Sequence, residues 1–522
     1  MKTYLKHYYN GNDICEAVLN YKKLDDDQIN DIYSEDLIEP QNNDLFKGIV
    51  ERIKAAKANN EKVMIFGDYD CDGICATTIM ADTLNELGIE YGFYIPNRFS
   101  EGYGVNIERM KQAKDKGYRL LITVDNGVKA TEALKWCQEN GIDVILSDHH
   151  TYEESDLVYD YFIHPNLMSD YYHLLCGAAV AYQISIMLCG ENINRMILAG
   201  VATIGDVMPL IRYNRYLVKM TLKYLNEGFN LPLQALADNS NQWDVDKISF
   251  QIVPKLNTIG RLENILKVSA FNLVYYLLLD DEEKIKFNAS QISEFNNTRK
   301  KLSDIMYQKA KAQVNDDDFI ILVDDEFQEG LNGLVAGKIA EEFNRPTIVF
   351  SHNGSLLKGS IRTSRLNLIK FFAPINNEFV SYGGHSEAAG ITIESNQLDW
   401  LRDYCKQNFQ YNDIDSQIEV IAIKPEKITI ELINDLKRLE PFGCGFERPK
   451  FYVEDTIKHC ISLSNGKHLK YTSNNIEYLY FNNSFNKRRD VSGSNRVFVG
   501  TLTINEFRGK QKANMIVDDV IG

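Results

Sequence analysis

The sequence predicts an α/β protein: a parallel-sheet domain, a second α/β unit joined to it by a long helix, and a C-terminal β-barrel. Three observations carry this reading. Between residues 46 and 150 short apolar runs alternate with helical patterns. Asp280 to Lys311 is strongly polar and free of Gly and Pro, as suits a long exposed helix linking two lobes. After about residue 412 the apolar segments become short and strand-like.

Taken in order, residues 1 to about 45 are polar and acidic, with Asp25-Asp26-Asp27 in the middle, and read as an extension of short helices. Phe46–Ala58 reads as a helix, Val63–Phe66 as a buried strand, Thr77–Leu87 as a helix and Tyr91–Ile95 as a strand. Leu120–Val124 and Val144–Leu146 add further apolar strands, and strands of this kind separated by helices imply a parallel sheet with both faces covered. Residues 177 to 240 have helical periodicity. A second unit follows, with strands at Phe319–Val323 and Thr347–Phe350 around a helix at Gly333–Phe343. Phe451–Val453, Glu477–Phe481 and Val497–Val499 are the barrel's candidate strands.

The 522 residues, 44% of them hydrophobic, suffice for about three domains. A net charge of −16 argues against a basic DNA-coating protein, but local field and not summed charge decides binding. Nine Cys without a CxxC pair exclude a zinc ribbon and a disulfide framework, and fit reduced thiols in a cytoplasmic protein. The N-terminal residues lack an apolar core followed by a small-residue cleavage site, so no signal peptide is expected. No run of 18 apolar residues occurs, and no membrane span is expected.

Chemistry concentrates at three strand ends: Asp68-Tyr69-Asp70-Cys71-Asp72-Gly73, then Asp125-Asn126-Gly127, then Asp148-His149-His150. In an open parallel sheet these ends face one crevice. Carboxylates crowded there repel one another unless a cation lies between them, and oxygen-rich sites with one or two imidazoles suit Mg²⁺ or Mn²⁺ better than zinc. Each piece alone has a plainer reading. The first could be a turn. It is not an EF-hand loop, because the position that needs Glu holds Ile79 or Ala81, depending on where the count begins. Asp125-Asn126-Gly127 could be a turn, and His149-His150 a surface or core pair. A fourth acid, Asp206, lies in the apolar stretch Ala202–Leu210 and could cap the next helix. The joint occurrence after apolar strands of one α/β unit favours a site.

Together the four motifs resemble the DHH phosphoesterase superfamily, whose signature is the His pair after Asp148. The resemblance implies two divalent cations, Mn²⁺ or Mg²⁺, with Asp70, Asp72, Asp125, His149 and Asp206 at ligand positions and Asp125 bridging. It places His150 at the scissile phosphate and Asp68 as a nearby catalytic acid, with Asp148 orienting an imidazole. Further segments are similar to the branch of the family that degrades single-stranded DNA. Tyr94–Arg98 with Glu101–Gly104 resembles a nucleotide-contact loop containing Arg98 and Tyr103. Leu175–Ala181 resembles a Gly-rich helix start, and Pro254–Asn257 with Gly260-Arg261 a linker motif, in which Lys255 replaces the usual Arg. Gly333–Lys338, Gly359–Arg362 and Gly383–His385 resemble a DHH-associated domain, and Leu439–Gly445 the entry to an OB-fold, although Phe446–Pro449 departs from that pattern. Arg98, Tyr103, Arg261, Ser360, Arg362 and His385 are the candidate substrate-binding residues, with Arg362 and His385 expected in Gly-flanked turns that hold the 5′ end. Read singly, Gly383–His385 could be a plain turn, and Arg98 and Arg261 could be surface salt-bridge residues.

The expected domains are an N-terminal extension (1–45), a DHH domain (46–215), a helical linker (216–312), a DHH-associated domain (313–411) and an OB-fold (412–522). Within the last, Lys487–Arg489 could track phosphates or be a solvated loop, and Tyr478, Tyr480 and Phe481 are more often core than base platforms. The resemblance implies two-metal hydrolysis of single-stranded DNA from 5′ to 3′ into 5′-mononucleotides, in repair and recombination. It implies a monomer, with a single-stranded-DNA-binding protein or a helicase as the candidate partner. The competing readings are a hydrolase of short oligonucleotides or cyclic dinucleotides, and a non-catalytic replication scaffold on the same fold.

Overall fold

A computed structural model describes residues 3–11, 13–102, 104–239, 242–410, 417–464, 467–481, 493–507 and 509–521 of the chain, arranged around three sheets. Strand β1 (Thr3–Tyr8) belongs to the third sheet. The first sheet holds β2 (Lys62–Phe66), β3 (Tyr91–Tyr94), β4 (Tyr118–Thr123), β5 (Asp143–Ser147) and β6 (Tyr161–Ile163). All are parallel, in the order β3-β2-β4-β5-β6. Val63, Ile65, Leu120, Ile122 and Ile145 are buried against helices on one face, and Leu121, Val144 and Leu146 against helices on the other. This is the two-sided burial that continuous apolar runs require. Because β2 lies between β3 and β4, the winding reverses there, and the carboxyl ends of β2 and β4 open the crevice where such sheets bind ligands.

The helix expected over Thr77–Leu87 starts earlier, spanning Cys71–Glu86. Asp70 caps it, accepting from the amides of Asp72 and Gly73 at 3.1 Å each. The acidic motif is therefore a helix start and not a free turn. Glu282–Ala312 is one helix of 31 residues, about 46 Å long at the usual rise of ~1.5 Å per residue. It is less exposed than its composition suggests. Its first half buries Ile285, Ala289 and Ile292 in the first core, and its second half buries Met306 and Ala310 in the next.

The second sheet comprises β7 (Ile320–Asp324), β8 (Thr347–Asn353), β9 (Leu356–Arg362), β10 (Ser381–Gly384) and β11 (Ala388–Glu394). Its order is β10-β11-β9-β8-β7, with β7 and β8 parallel and the other pairs antiparallel. The third sheet adds β12 (Gln417–Ala422), β13 (Phe451–Thr456), β14 (His459–Leu463), β15 (His468–Thr472), β16 (Glu477–Tyr480), β17 (Asn495–Phe507) and β18 (Lys510–Ile521). Its first strand is β1, parallel to β12 with Thr3 opposite Gln417. The N-terminal segment, read as short helices alone, thus also completes the C-terminal sheet. Tyr478 is fully buried and stacks on Phe498 at 3.9 Å, which makes it core and not a base platform. Lys487–Arg489 lies outside the described residues. No helix among the described residues is long and apolar enough to cross a membrane.

Buried Arg215, on the Arg212–Asn226 helix, ties this last domain to the first. Its guanidinium donates to the carbonyls of Leu439 (2.6 Å), Glu440 (3.1 Å) and Pro441 (2.9 Å) and lies over the Phe446 ring at 4.8 Å. Arg215→Ala removes the donor from three carbonyls and is expected to destabilise the chain by about 3 kcal/mol. Hydrogen exchange should then quicken at residues 439–446; unchanged protection there would show that the tie is unimportant.

Candidate metal centre

The strand ends converge as the sheet order dictates. Asp68 follows β2 and is buried, with its Oδ1 lacking any hydrogen-bond donor. A Cβ on Gly73 would fall 2.6 Å from the Asp68 backbone, so only glycine lets the Cys71–Glu86 helix start this close to the strand. Asp72 points from the first turn of that helix towards the Gly177–Cys189 helix, where its two oxygens accept the amides of Gly177 and Ala178 at 2.7 Å each. A helix N-terminus with its field and unpaired amides is suited to hold a carboxylate.

Asp125 follows β4 with φ of +61°, a left-handed conformation that Asp tolerates better than most residues. The turn is pinned by Asn126, whose Nδ2 donates to the carbonyls of Phe66 (3.0 Å) and Val124 (2.9 Å). His149, after β5, brings Nε2 to 3.0 Å from Asp125 Oδ1, 3.5 Å from Asp72 Oδ2 and 3.8 Å from Asp206 Oδ2. Asp206 closes the Ile193–Gly205 helix at its C-terminal end, so the alternative reading of it as an N-cap does not hold. Val207 beyond it is β-branched yet has φ of +56°, a strained conformation directly beside the site. Three overlapping groups bring ligand atoms within 4.8 Å of one another: Asp68, Asp70 and Asp125; Asp125, His149 and His150; and Asp72, His149 and Asp206. Asp125 is common to the first two and His149 to the last two.

The electrostatics point the same way. Burial, then the charges of Asp72, Asp70, Asp68 and Asp206, push Asp125 well above the usual carboxylate range. Burial, then Asp72 and Asp70, raise Asp206 to about 8. Uncompensated like charge in a buried crevice, with an acceptor oxygen on Asp68 that nothing meets, is what a site for cations consists of. Asp148 differs: burial would raise its pKa, but the hydrogen bond and charge of His150 and the amide of Val128 hold it below normal. Its Oδ1 lies 2.8 Å from His150 Nδ1. Burial opposes protonation of that ring, yet Asp148, Asp206 and Asp72 raise His150 to about 9.

Across the crevice lies a cluster of opposite sign. Desolvation, then the charges of Arg98, Arg299 and Arg362, lower Arg261 to about 10. Burial and then Arg98 likewise lower Arg362. Arg98 lies over the Tyr69 ring at 5.4 Å. Arg362 ends β9 and does not sit in a turn; its Nη2 lies 2.9 Å from where a Cβ on Gly333 would be, with Ser360 Oγ at 3.6 Å from the same point. Arg98, Asn332, Lys358, Ser360, Tyr382 and Thr392 line a groove of about 420 Å³. His385 is exposed just after β10, and burial, then the charges of His150 and Lys129, lower its pKa. Tyr103 lies outside the described residues. Sequence reasoning missed Arg299, which had no local signal within a polar helix, and the amides of Gly177 and Ala178, whose role needs the fold.

The N-terminal domain of the DHH family matches residues 62–205, the DHHA1 domain residues 316–410 and the RecJ OB domain residues 421–519. The chain thus carries a DHH domain, a DHHA1 domain and a RecJ OB domain, in that order. The single-stranded-DNA-specific exonuclease RecJ of Bacillus subtilis is 31% identical over 500 residues, covering 91% of this chain and 63% of that protein. This chain thus spans somewhat under two thirds of that relative's length. The crystal structure of RecJ in complex with Mn²⁺ from Thermus thermophilus shares the fold, with a TM-score of 0.83 at 23% identity over 100% of this chain and 79% of that one. A crystal structure of exonuclease RecJ bound to manganese matches with a TM-score of 0.61 at 27% identity, over 72% of this chain and 96% of that one.

A Cβ on Gly177 would lie 2.5 Å from Asp125 Cβ and 2.7 Å from its Cα, so a side chain there must displace the acid or the helix start. Gly177→Ala in this DHH domain is expected to lower the thermal midpoint and to abolish any rise in that midpoint on adding Mn²⁺. An undiminished Mn²⁺-induced rise would show that the glycine does not set the site.

Proposed function

We propose that the chain hydrolyses single-stranded DNA from the 5′ end to 5′-mononucleotides, using two divalent cations. The observation that carries this is the juxtaposition of a buried acid cluster sharing Asp125 with an arginine cluster across the same crevice. Asp70, Asp72, Asp125, His149 and Asp206 would hold the cations, with Asp68 beside them; the crowded carboxylates and the unmet Asp68 oxygen fit such ions. Mn²⁺ or Mg²⁺ bound there would activate water and neutralise charge on phosphoryl oxygens.

The remaining work falls to the chain. Asp148 fixes the His150 ring through Nδ1, so that the imidazole can meet the scissile phosphate as its charge shifts. Arg98, Arg261 and Arg362 with Ser360 would hold a terminal 5′-phosphate, and His385, two residues beyond Gly383 of that groove, would assist them. A terminal stop at a set distance from the acids gives direction to a site that has none of its own. The C-terminal sheet would carry the strand by stacking and phosphate contacts. The barrel beyond the two lobes supports a long strand over a short oligonucleotide, and the retained acids support an enzyme over a scaffold. The setting that suits this is a cytoplasmic monomer acting in repair and recombination, on strands presented by a helicase or a single-stranded-DNA-binding protein.

Digestion of end-labelled single strands tests the reading. Activity should vanish with a chelator and return with Mn²⁺ or Mg²⁺; full activity in chelator would overturn it. Asp125→Ala should slow cleavage by about a thousandfold, the equivalent of roughly 4 kcal/mol, while leaving strand binding largely intact. Near-normal turnover by that variant would remove Asp125 from its role. Arg362→Ala should narrow the difference between 5′-phosphate and 5′-hydroxyl strands at fixed salt more than it lowers the intrinsic rate; undiminished discrimination would place the terminal pocket elsewhere.

A further inference from the structure

We infer that the Val253–Leu266 helix couples occupancy of the terminal-phosphate cleft to the geometry of the acid cluster, and that Asn257 is the positioning residue through which it acts. The inference rests on the reading of the arginine cluster given above. Asn257 Oδ1 accepts the amide of Cys71 at 2.7 Å, and Cys71 lies between Asp70 and Asp72. Asp70 covers the next two amides of that turn, so the backbone carrying both acids is held by one local side chain and one from this distant helix. One turn further on, a Cβ on Gly260 would lie 2.6 Å from the Tyr69 carbonyl oxygen, which presses this helix against the residue before Asp70.

The same turn faces the second lobe. Arg261 belongs to the arginine cluster, and its carbonyl oxygen would lie 1.8 Å from a Cβ on Gly330. Thr258 Oγ1 donates to Asn296 Oδ1 at 3.2 Å, and Arg299 Nε donates to the same oxygen at 2.9 Å, which joins a second cluster arginine to this helix. Directly after Arg261 the helix bends: Leu262 has φ −125° and ψ 16°. A π-helical turn, Ile248–Ile252, precedes the helix at its other end. Irregular turns of this kind mark places where a helix yields. Asn257 to Arg261 is thus a short rigid piece between two irregular ones, bonded to the acid loop on one side and packed on the second lobe on the other. An anion that draws on Arg261 and Arg299 acts on the backbone of Asp70 and Asp72 through it. By linkage, a terminal phosphate then strengthens cation binding, and cations strengthen phosphate binding by the same factor.

The experiment measures Mn²⁺ affinity by electron paramagnetic resonance of the full chain bound to hydrolysis-resistant single strands with a 5′-phosphate or a 5′-hydroxyl. In the parent, the phosphate should tighten Mn²⁺ binding by about fivefold. Asn257→Leu, which has no acceptor, should bring that ratio to about one at a similar thermal midpoint, and Asn257→Asp, which keeps the acceptor, should restore it. Should Asn257→Leu fail to fold, Asn257→Ser, too short to reach the Cys71 amide, is read in the same way. A parental ratio in the Leu or Ser variant overturns the inference. So does a parent that binds the phosphorylated strand more tightly without metal yet shows no change in Mn²⁺ affinity. If the 5′-phosphate adds no strand affinity even without metal, the reading of the cleft itself falls, and the coupling with it.

Discussion

Repulsion among five carboxylates in one crevice, those of Asp68, Asp70, Asp72, Asp125 and Asp206, is the constraint around which the first domain is built. Asp70 and Asp72 are answered by fixed dipoles, and so is the neighbouring Asp148. Asp72 receives two helix amides, Asp70 receives two from its own turn, and Asp148 receives the amides of Val128, His149 and His150. These donors cost no reorganisation, because the helix starts and sheet ends that supply them are already fixed by the core. They reduce the repulsion without abolishing it, since Asp125 and Asp206 remain far above the ordinary carboxylate range. The remainder is charge that a bound cation would neutralise.

Much of this was legible in the sequence because it is local. Three acidic or His-containing motifs each follow an apolar strand, and the rule that parallel strands present their carboxyl ends to one crevice brings them together. The long helix was legible from its lack of Gly and Pro. What escaped was set by pairing across the chain. The capping role of Asp70 moved the helix start back by six residues from the expected Thr77 to Cys71, since a motif that caps looks the same as one that merely turns. Arg362 at the end of β9 was misjudged as a turn residue because its glycine neighbour, Gly359, lies within the strand. Arg299 gains its meaning only when the long helix packs on the Val253–Leu266 helix, and Asn257 only when that helix meets the Cys71 turn.

The arginine cluster shows why net charge misleads. A chain at −16 nevertheless gathers Arg98, Arg261, Arg299 and Arg362 closely enough that, beyond burial, the charges of Arg98, Arg299 and Arg362 lower the proton affinity of Arg261, and that of Arg98 lowers Arg362. Facing them, the acid cluster has the opposite problem, and the crevice between is strongly polarised. Under the proposed function a phosphodiester would span that division, with one phosphate among the guanidinium groups and the next over the acids and the cations they would hold. Such a field would orient a strand as well as attract it.

Strand β1 pairs Thr3 with Gln417 and lies parallel to β12. During synthesis this delays the sheet that β1 and β12 share until both lobes have been made, whatever its local propensities. The ribosome releases β1 before both lobes, and only then the strand that β1 meets. Until that point an extended segment with unpaired backbone groups trails from the two lobes, with the exposed side chains of Leu5 and Tyr8 on it. Contacts of such sequence separation are slow to form, and the nascent chain is most open to mispairing with a neighbour in that interval.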